Sequence, residues 1–227
     1  SGTMDGVPPA AATLHVRPNR SLALLSVAHA VNHAFAVLLP LIFLAIIDEF
    51  GVGVGTVAIL AAAGAFASGI VQLSYAELTR RVSRRRLLGF GGLLFGGGFA
   101  AQALATGFPT FALPNIVARI GGSPQHPVGN GLLAEQFPES RRGFAISAHI
   151  AGGNVGTVVV AVVGVPLLAW IGWRGASIVF GVAAMLVALL ILGLVREHGT
   201  DRAAAKAGGS SRDALRRVVA GGRAGGL

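Results

Sequence analysis

Six apolar runs, at about residues 21–47, 54–76, 87–107, 111–134, 144–170 and 175–195, constrain this chain more than any motif in it. Crossing ~30 Å of hydrocarbon takes ~20 apolar residues in a helix, and each run is long enough. No water reaches the middle of a bilayer, so each segment must satisfy its own backbone groups, and only helices or closed barrels do that. The expected fold is therefore an all-α membrane protein with six transmembrane helices. Its organisation divides into an N-terminal segment (1–20), a six-helix domain (21–195) and a basic tail (196–227). The tail is rich in Ala, Gly and Arg, and only its DALRRVV stretch suggests a short amphipathic turn on a membrane surface. The first run is too long for the apolar region of a cleaved signal and is read as a retained helix.

Charge sets the expected orientation, because cytoplasmic loops collect Lys and Arg. All 18 basic residues except Arg119 and Arg174 fall on one side of the six-span arrangement. That predicts a multi-pass protein of the cell (inner) membrane with both termini cytoplasmic. The net charge of +9 then reflects topology and contact with anionic lipid headgroups, and nucleic acid is not expected as a partner. With no cysteine, the chain offers no disulfide, no thiol nucleophile and no thiolate metal ligand.

Arg119 is the exception that points to function. A cation near the centre of a membrane helix costs ~2.5–3.5 kcal/mol on insertion scales, so it faces a partner or a watery cavity. On a helical wheel Asn115, Arg119, Ser123, His126 and Asn130 fall within about 80° of one another. Pro124 and Pro127 interrupt the same run, each removing a backbone donor, which is tolerated at membrane depth only where protein or water replaces it. A kinked structural helix and a substrate-facing helix both fit; the polar stripe favours the second.

The first span adds His29, Asn32 and His33, with the two histidines four residues apart on one face. They are open to three readings: structural, substrate-contacting or titrating near neutral pH. A metal site is not expected, since the spans offer few carboxylates and no Cys, and no cofactor is expected either. In the fifth span Asn154 shares a face with Ser147, while His149 aligns with Gly153 and Gly156. Counting ~1.5 Å per residue puts His33, Arg119 and Asn154 near the midplane, with a histidine layer on the cytoplasmic side of it. No acid lies at midplane depth, so Arg119 suits an anionic or strongly polar small molecule. Ser123 lies three residues from His126, but no serine-protease signature surrounds it, and the chain is not read as an enzyme.

At these residues the chain resembles the amino-terminal six-helix half of a major facilitator superfamily transporter. Arg119 falls at the family's fourth-helix arginine. Gly152, Gly156, Gly164 and Pro166 resemble its fifth-helix pattern, and Gly172-Trp173-Arg174 its GWR before the sixth. AELTRRVSRRR occupies the place of the loop G-x-L-x-D-R-x-G-R-R, departing from it at Ala76, Arg80 and Ser83. SPQHPVGNGLLAE and RRGFAISAHIAGGNVG resemble, more narrowly, fosmidomycin-resistance efflux permeases.

The resemblance covers about residues 21–217 and implies a 3+3 inverted repeat with alternating access. With helices 1 and 4 at the family's cavity, the polar faces and depths read above give an expected substrate site at Arg119, His33, Asn32, Ser123, Asn115 and Asn154, and expected proton coupling through His29, His33 or His126. Arg80, Arg81, Arg84 and Arg85 would form the gating loop. The family normally has twelve helices, so a homodimer is expected, with Gly152, Gly153 and Gly156 at the contact between copies. The alternatives are a fragment of a longer transporter and a non-transporting six-helix partner or sensor.

Overall fold

A computed structural model describes residues 16–197 of the chain. Most of the N-terminal segment, and the tail beyond residue 197 with its DALRRVV stretch, lie outside the described residues. Within them the chain forms seven helices and no strand.

Helix α1 (Pro18–Phe50) starts on a proline, whose fixed φ suits the first helical turn and whose missing N–H costs nothing there. It ends at Gly51, where φ is 62°, a left-handed conformation that side-chain-bearing residues resist. Helix α2 (Val54–Arg81) follows after a short connection, then α3 (Arg84–Ala101), which finishes in a 3-10 turn at Gln102–Leu104. Ser83 caps α3 by accepting a hydrogen bond from the Arg86 N–H.

The proline-rich span divides. α4 (Phe108–Gly122) and α5 (Pro127–Gln136) are separated by four residues, and neither is long enough to cross a bilayer alone. Pro124 and Pro127 supply no N–H, so the ladder is restitched locally. The Ile120 carbonyl takes both the Ser123 N–H at 3.2 Å and the Ser123 hydroxyl at 2.6 Å.

From Glu139 to Leu194 the chain is helical for 56 residues, as α6 (Glu139–Val159), a π-helical turn at Val160–Gly164 and α7 (Val165–Leu194). A straight helix of that length would run ~84 Å at ~1.5 Å per residue, far beyond a ~30 Å core. Gly172, at φ 69° and ψ 175°, breaks it into two arms. The π turn sits where Pro166 withholds a donor, and the Val165 N–H reaches five residues back to the Val160 carbonyl.

By length and apolar composition, four helical stretches among the described residues can cross a membrane: Pro18–Phe50, Val54–Arg81, Arg84–Leu104 and Glu139–Leu194. Six separate spans were expected. The difference lies at Pro124/Pro127, which cut one span in two, and at Gly172, where two helical arms meet with no loop between them.

α1 packs along α6 and α3 along α7, while α4 lies between α2 and α3. Small residues let these backbones approach. A Cβ on Gly156 would sit 2.0 Å from the Ala30 carbonyl oxygen, and one on Gly96 of α3 would sit 2.5 Å from the Gly181 carbonyl oxygen of α7. Two apolar clusters result. One, around Phe35, Leu38, Phe99, Phe111 and Trp173, fills the end near Gly51; the other, around Leu25, Leu88, Leu132 and Leu133, fills the arginine-rich end.

Candidate functional site

A cavity of about 380 Å³ opens between α1, α2, α3 and α4. α1 contributes Asn32, Phe35 and Ala36; α2 contributes Ala65, Ser68 and Gln72; α3 contributes Phe95. Arg119, Gly122, Ser123 and His126 complete the wall from α4 and the break that follows it. Pro40 inside α1 deprives the Ala36 carbonyl of its helical donor, and Ala36 stands on this wall, where water or solute can supply one.

Arg119 dominates the cavity electrostatically. It makes no ion pair or hydrogen bond among the described residues, and its Nε is buried without a partner. No carboxylate lines the cavity. Gly64 makes room for the arginine stem: a Cβ there would lie 2.2 Å from Arg119 Cδ and 2.9 Å from Nε. The site is thus a polar recess with one uncompensated cation.

Of the six residues expected to bind substrate, Arg119, Asn32 and Ser123 meet at this cavity. Asn32 also donates to the Gly122 carbonyl at 3.3 Å, which fixes α1 to the end of α4. Ser123 is mostly committed to structure. Its hydroxyl donates to Ile120, so the Tyr75 hydroxyl, 2.6 Å away, must donate to Ser123. Asn115 is a correction: it is fully buried facing the 3-10 turn and donates to Gln102 Oε1 at 3.3 Å. The wheel put it on the cavity stripe, but the side chain tucks between helices before reaching that face. Asn154 also stands off the cavity wall, on an exposed face of α6.

The glycines expected at a contact between copies pack within the chain. Gly152 packs on Ser26, Gly153 on His29 and His33, and Gly156 on Ala30, all on α1. Gly153 and Gly156 are buried there.

The histidines converge. His29 is fully buried at the centre, with ring centroids 4.5 Å from His33, 4.7 Å from His126 and 4.5 Å from His149. Its Nδ1 donates to the His149 carbonyl at 2.9 Å, which leaves the Nε2 lone pair free. The i, i+4 spacing supplies two of these rings, the proline break swings in His126, and Gly153 lets α6 bring His149 against them. His33 belongs to this cluster and does not line the cavity.

The four arginines expected to gate are held at one end of the bundle. Arg80 and Arg81 pair with Glu77 on their own helix, at 3.6 and 2.8 Å. Arg84 holds Glu135 of α5 in a two-pronged pair at 2.7 and 2.8 Å. Arg85 reaches the Leu192 carbonyl, and Glu197 accepts from the Arg84 and Arg85 N–H groups at the positive end of α3. At the opposite end, Glu49 takes Trp173 Nε1 at 2.8 Å and Arg174 at 2.6 Å, which locks the chain just after the Gly172 turn to the end of α1.

The sequence reading missed the whole α2 wall. The only hint was the run AAAGAFASG at 61–69, a density of small residues that marks a face meant for close approach.

Long apolar helices, one of them broken at a polar recess with an unpaired cation, define a membrane-embedded helical protein with an internal cavity, because irregular backbone survives at membrane depth only beside one. Residues 24–223 match the family model described as Major Facilitator Superfamily, and the chain belongs to that family. It is 27% identical over 180 residues to the probable L-galactonate transporter of Escherichia coli K12, a match covering 78% of this chain and 40% of that protein. It is 32% identical over 116 residues to a putative metabolite transport protein of Haemophilus influenzae Rd, covering 51% and 28%.

Among solved structures, a bacterial homolog of the human lysosomal transporter Spinster in its inward-facing, occupied conformation superposes with a TM-score of 0.67 at 21% identity. That match covers 82% of this chain and 46% of the other. The unoccupied form gives 0.66 at 19% identity. The chain spans less than half the length of each of these proteins. These relatives are transport proteins, not enzymes.

Proposed function

We propose that this chain forms one half of a secondary transporter for a small organic anion, with Arg119 as the group that holds the solute's negative charge. The observation that carries this reading is the guanidinium itself: partly buried, unpaired among the described residues, and facing a cavity without a carboxylate. An arginine so placed favours a carboxylate, which it binds through two parallel donors. One relative's name is that of a sugar-acid transporter and the other's that of a metabolite transporter, which supports a polyhydroxy carboxylate more than the drug-like cargo of a resistance permease.

In this proposal α4 and α5 together make one crossing, and the arms on either side of Gly172 make two. That gives six crossings in a 3+3 inverted repeat, with the arginine-rich end towards the cytoplasm of a bacterial inner membrane. A second six-helix unit, a second copy of this chain, closes the open side of the cavity, and the halves rock about it in alternating access. Gln72 of α2 and Asn154 of α6 are exposed polar side chains on membrane helices, which suits faces that meet protein instead of lipid.

The test is uptake of a labelled sugar-acid anion into vesicles reconstituted with the full chain. Arg119→Ala should abolish flux while the protein stays folded; unchanged flux refutes the assignment. Cysteines introduced as Gln72→Cys and Asn154→Cys in this cysteine-free chain should crosslink two copies, and an active species that is strictly monomeric would sink the dimer.

A further inference from the structure

We propose that His29, His33 and His126 form a binding site for one divalent transition-metal ion of the zinc class, beside the cavity. Two histidines on one helix face do not by themselves make a site. The fold supplies the third by breaking the helix at Pro124 and Pro127, which turns His126 towards α1. The ligand nitrogens of the three side chains all lie within 4.8 Å of one another.

Three features favour a metal over a merely packed cluster. First, the central nitrogen is prepared. Metal-bound histidines characteristically donate their other ring N–H to a carbonyl or carboxylate, which fixes tautomer and ring direction. His29 does this through Nδ1 to the His149 carbonyl at 2.9 Å. Second, His29 Nε2 is fully buried with no hydrogen-bond partner, on a side chain with no exposed surface. It is a lone pair without a partner, on a ring that touches the other two. Third, the site can close and fill. Bonds of ~2.0–2.1 Å in a tetrahedron put ligand nitrogens ~3.3 Å apart, so the cluster must contract. His126 is exposed, stands at the break and lines the cavity, so it can move and gives the ion a path in.

Three neutral imidazoles without a carboxylate or thiolate suit zinc, cobalt, nickel or copper and not magnesium or calcium. The fourth position is left to water or an anion from the cavity. His149 stacks on His29 with its rings 25° from parallel and turns its Nε2 towards Gly129, so it positions His29 without being a ligand. A nitrogen that holds a metal has no lone pair for a proton, so this assignment displaces the proton-carrying role expected of the same three side chains.

The experiment uses the full chain in nanodiscs, with cobalt(II) as an optical probe and zinc as its competitor. One equivalent should bind with the visible absorption of a low-coordinate nitrogen site, and zinc should displace it. His33→Gln and His126→Gln should each weaken binding more than ~10-fold, the loss that even an outer-shell change produces. His126→Gln is the safer variant for folding because its side chain is exposed; its metal-free melting temperature should equal that of the unaltered chain. His149→Phe, and the paired variant His15→Gln/His198→Gln of the chain's two other histidines, should keep the metal. Arg119→Ala should keep it too, which separates this site from the anion site. Absence of stoichiometric binding, or binding untouched by both ligand variants, overturns the proposal. So does loss of metal in the His15/His198 variant or in His149→Phe while His126→Gln retains it.

Discussion

Gly64→Ala gives a stringent test of the Arg119 site, because it adds one methyl group on a different helix and leaves the arginine in place. The new Cβ would lie 2.2 Å from Arg119 Cδ, whereas ordinary contact begins at 3.4 Å, so the stem must retreat by about 1.2 Å. The obstacle is a flexible side chain and not backbone, so the arginine moves and the helices stay. A guanidinium displaced that far loses at least one charge-assisted hydrogen bond to a bound carboxylate, a loss of ~1.5–3 kcal/mol. That corresponds to ~10- to 150-fold weaker binding. Isothermal titration of the full chain in nanodiscs with a sugar-acid anion, across unaltered, Gly64→Ala, Arg119→Ala and double-variant forms, completes a double-mutant cycle. If Gly64 acts through Arg119, the double variant binds no more weakly than Arg119→Ala alone. Unchanged affinity in a folded Gly64→Ala protein refutes the reasoning, and so does a double variant whose losses add.

Two further predictions concern the frame that holds the site. Gly156→Val should lower the thermal midpoint by an amount equivalent to ~1–3 kcal/mol or more, because its Cβ would meet the Ala30 carbonyl oxygen at 2.0 Å and backbone cannot step aside cheaply. A melt equal to that of the unaltered chain would show that α1 and α6 do not pack this way. Ser123→Ala should cost ~1–3 kcal/mol by stranding the buried Tyr75 hydroxyl and removing a donor from the Ile120 carbonyl. Pairing it with Tyr75→Phe should restore most of the loss, and a chemical or thermal melt of the two variants reads this directly.

Much of the site's chemistry was legible before any tertiary contact was known. Arg119 stood out because a charge in an apolar run is costly, and its neighbours Ser123 and His126 followed from helical periodicity and do line the cavity. Asn115 obeyed the same periodicity and failed. A wheel ranks angular position but is blind to a neighbouring helix, and here Gln102 at the end of α3 takes the side chain inwards. The glycines of α6 show a related blindness. Their spacing announces close packing, yet nothing in spacing says whether the partner is α1 of the same chain or a second copy.

The sequence by itself determined that this is a membrane protein of long apolar helices, which end gathers the arginines, and that an unneutralised cation sits among them. These are consequences of local transfer energies and of the 3.6-residue repeat, which need no knowledge of neighbours. Only the tertiary structure decided that Gly64 of α2 cradles Arg119, and that the stretch Glu139–Leu194 breaks at Gly172. It alone brought three histidines, from three chain segments, around the buried ring of His29. Those outcomes depend on which helix faces come into contact, and contacts between residues about a hundred positions apart are set by packing and by where the ladder breaks, not by any pattern along the chain.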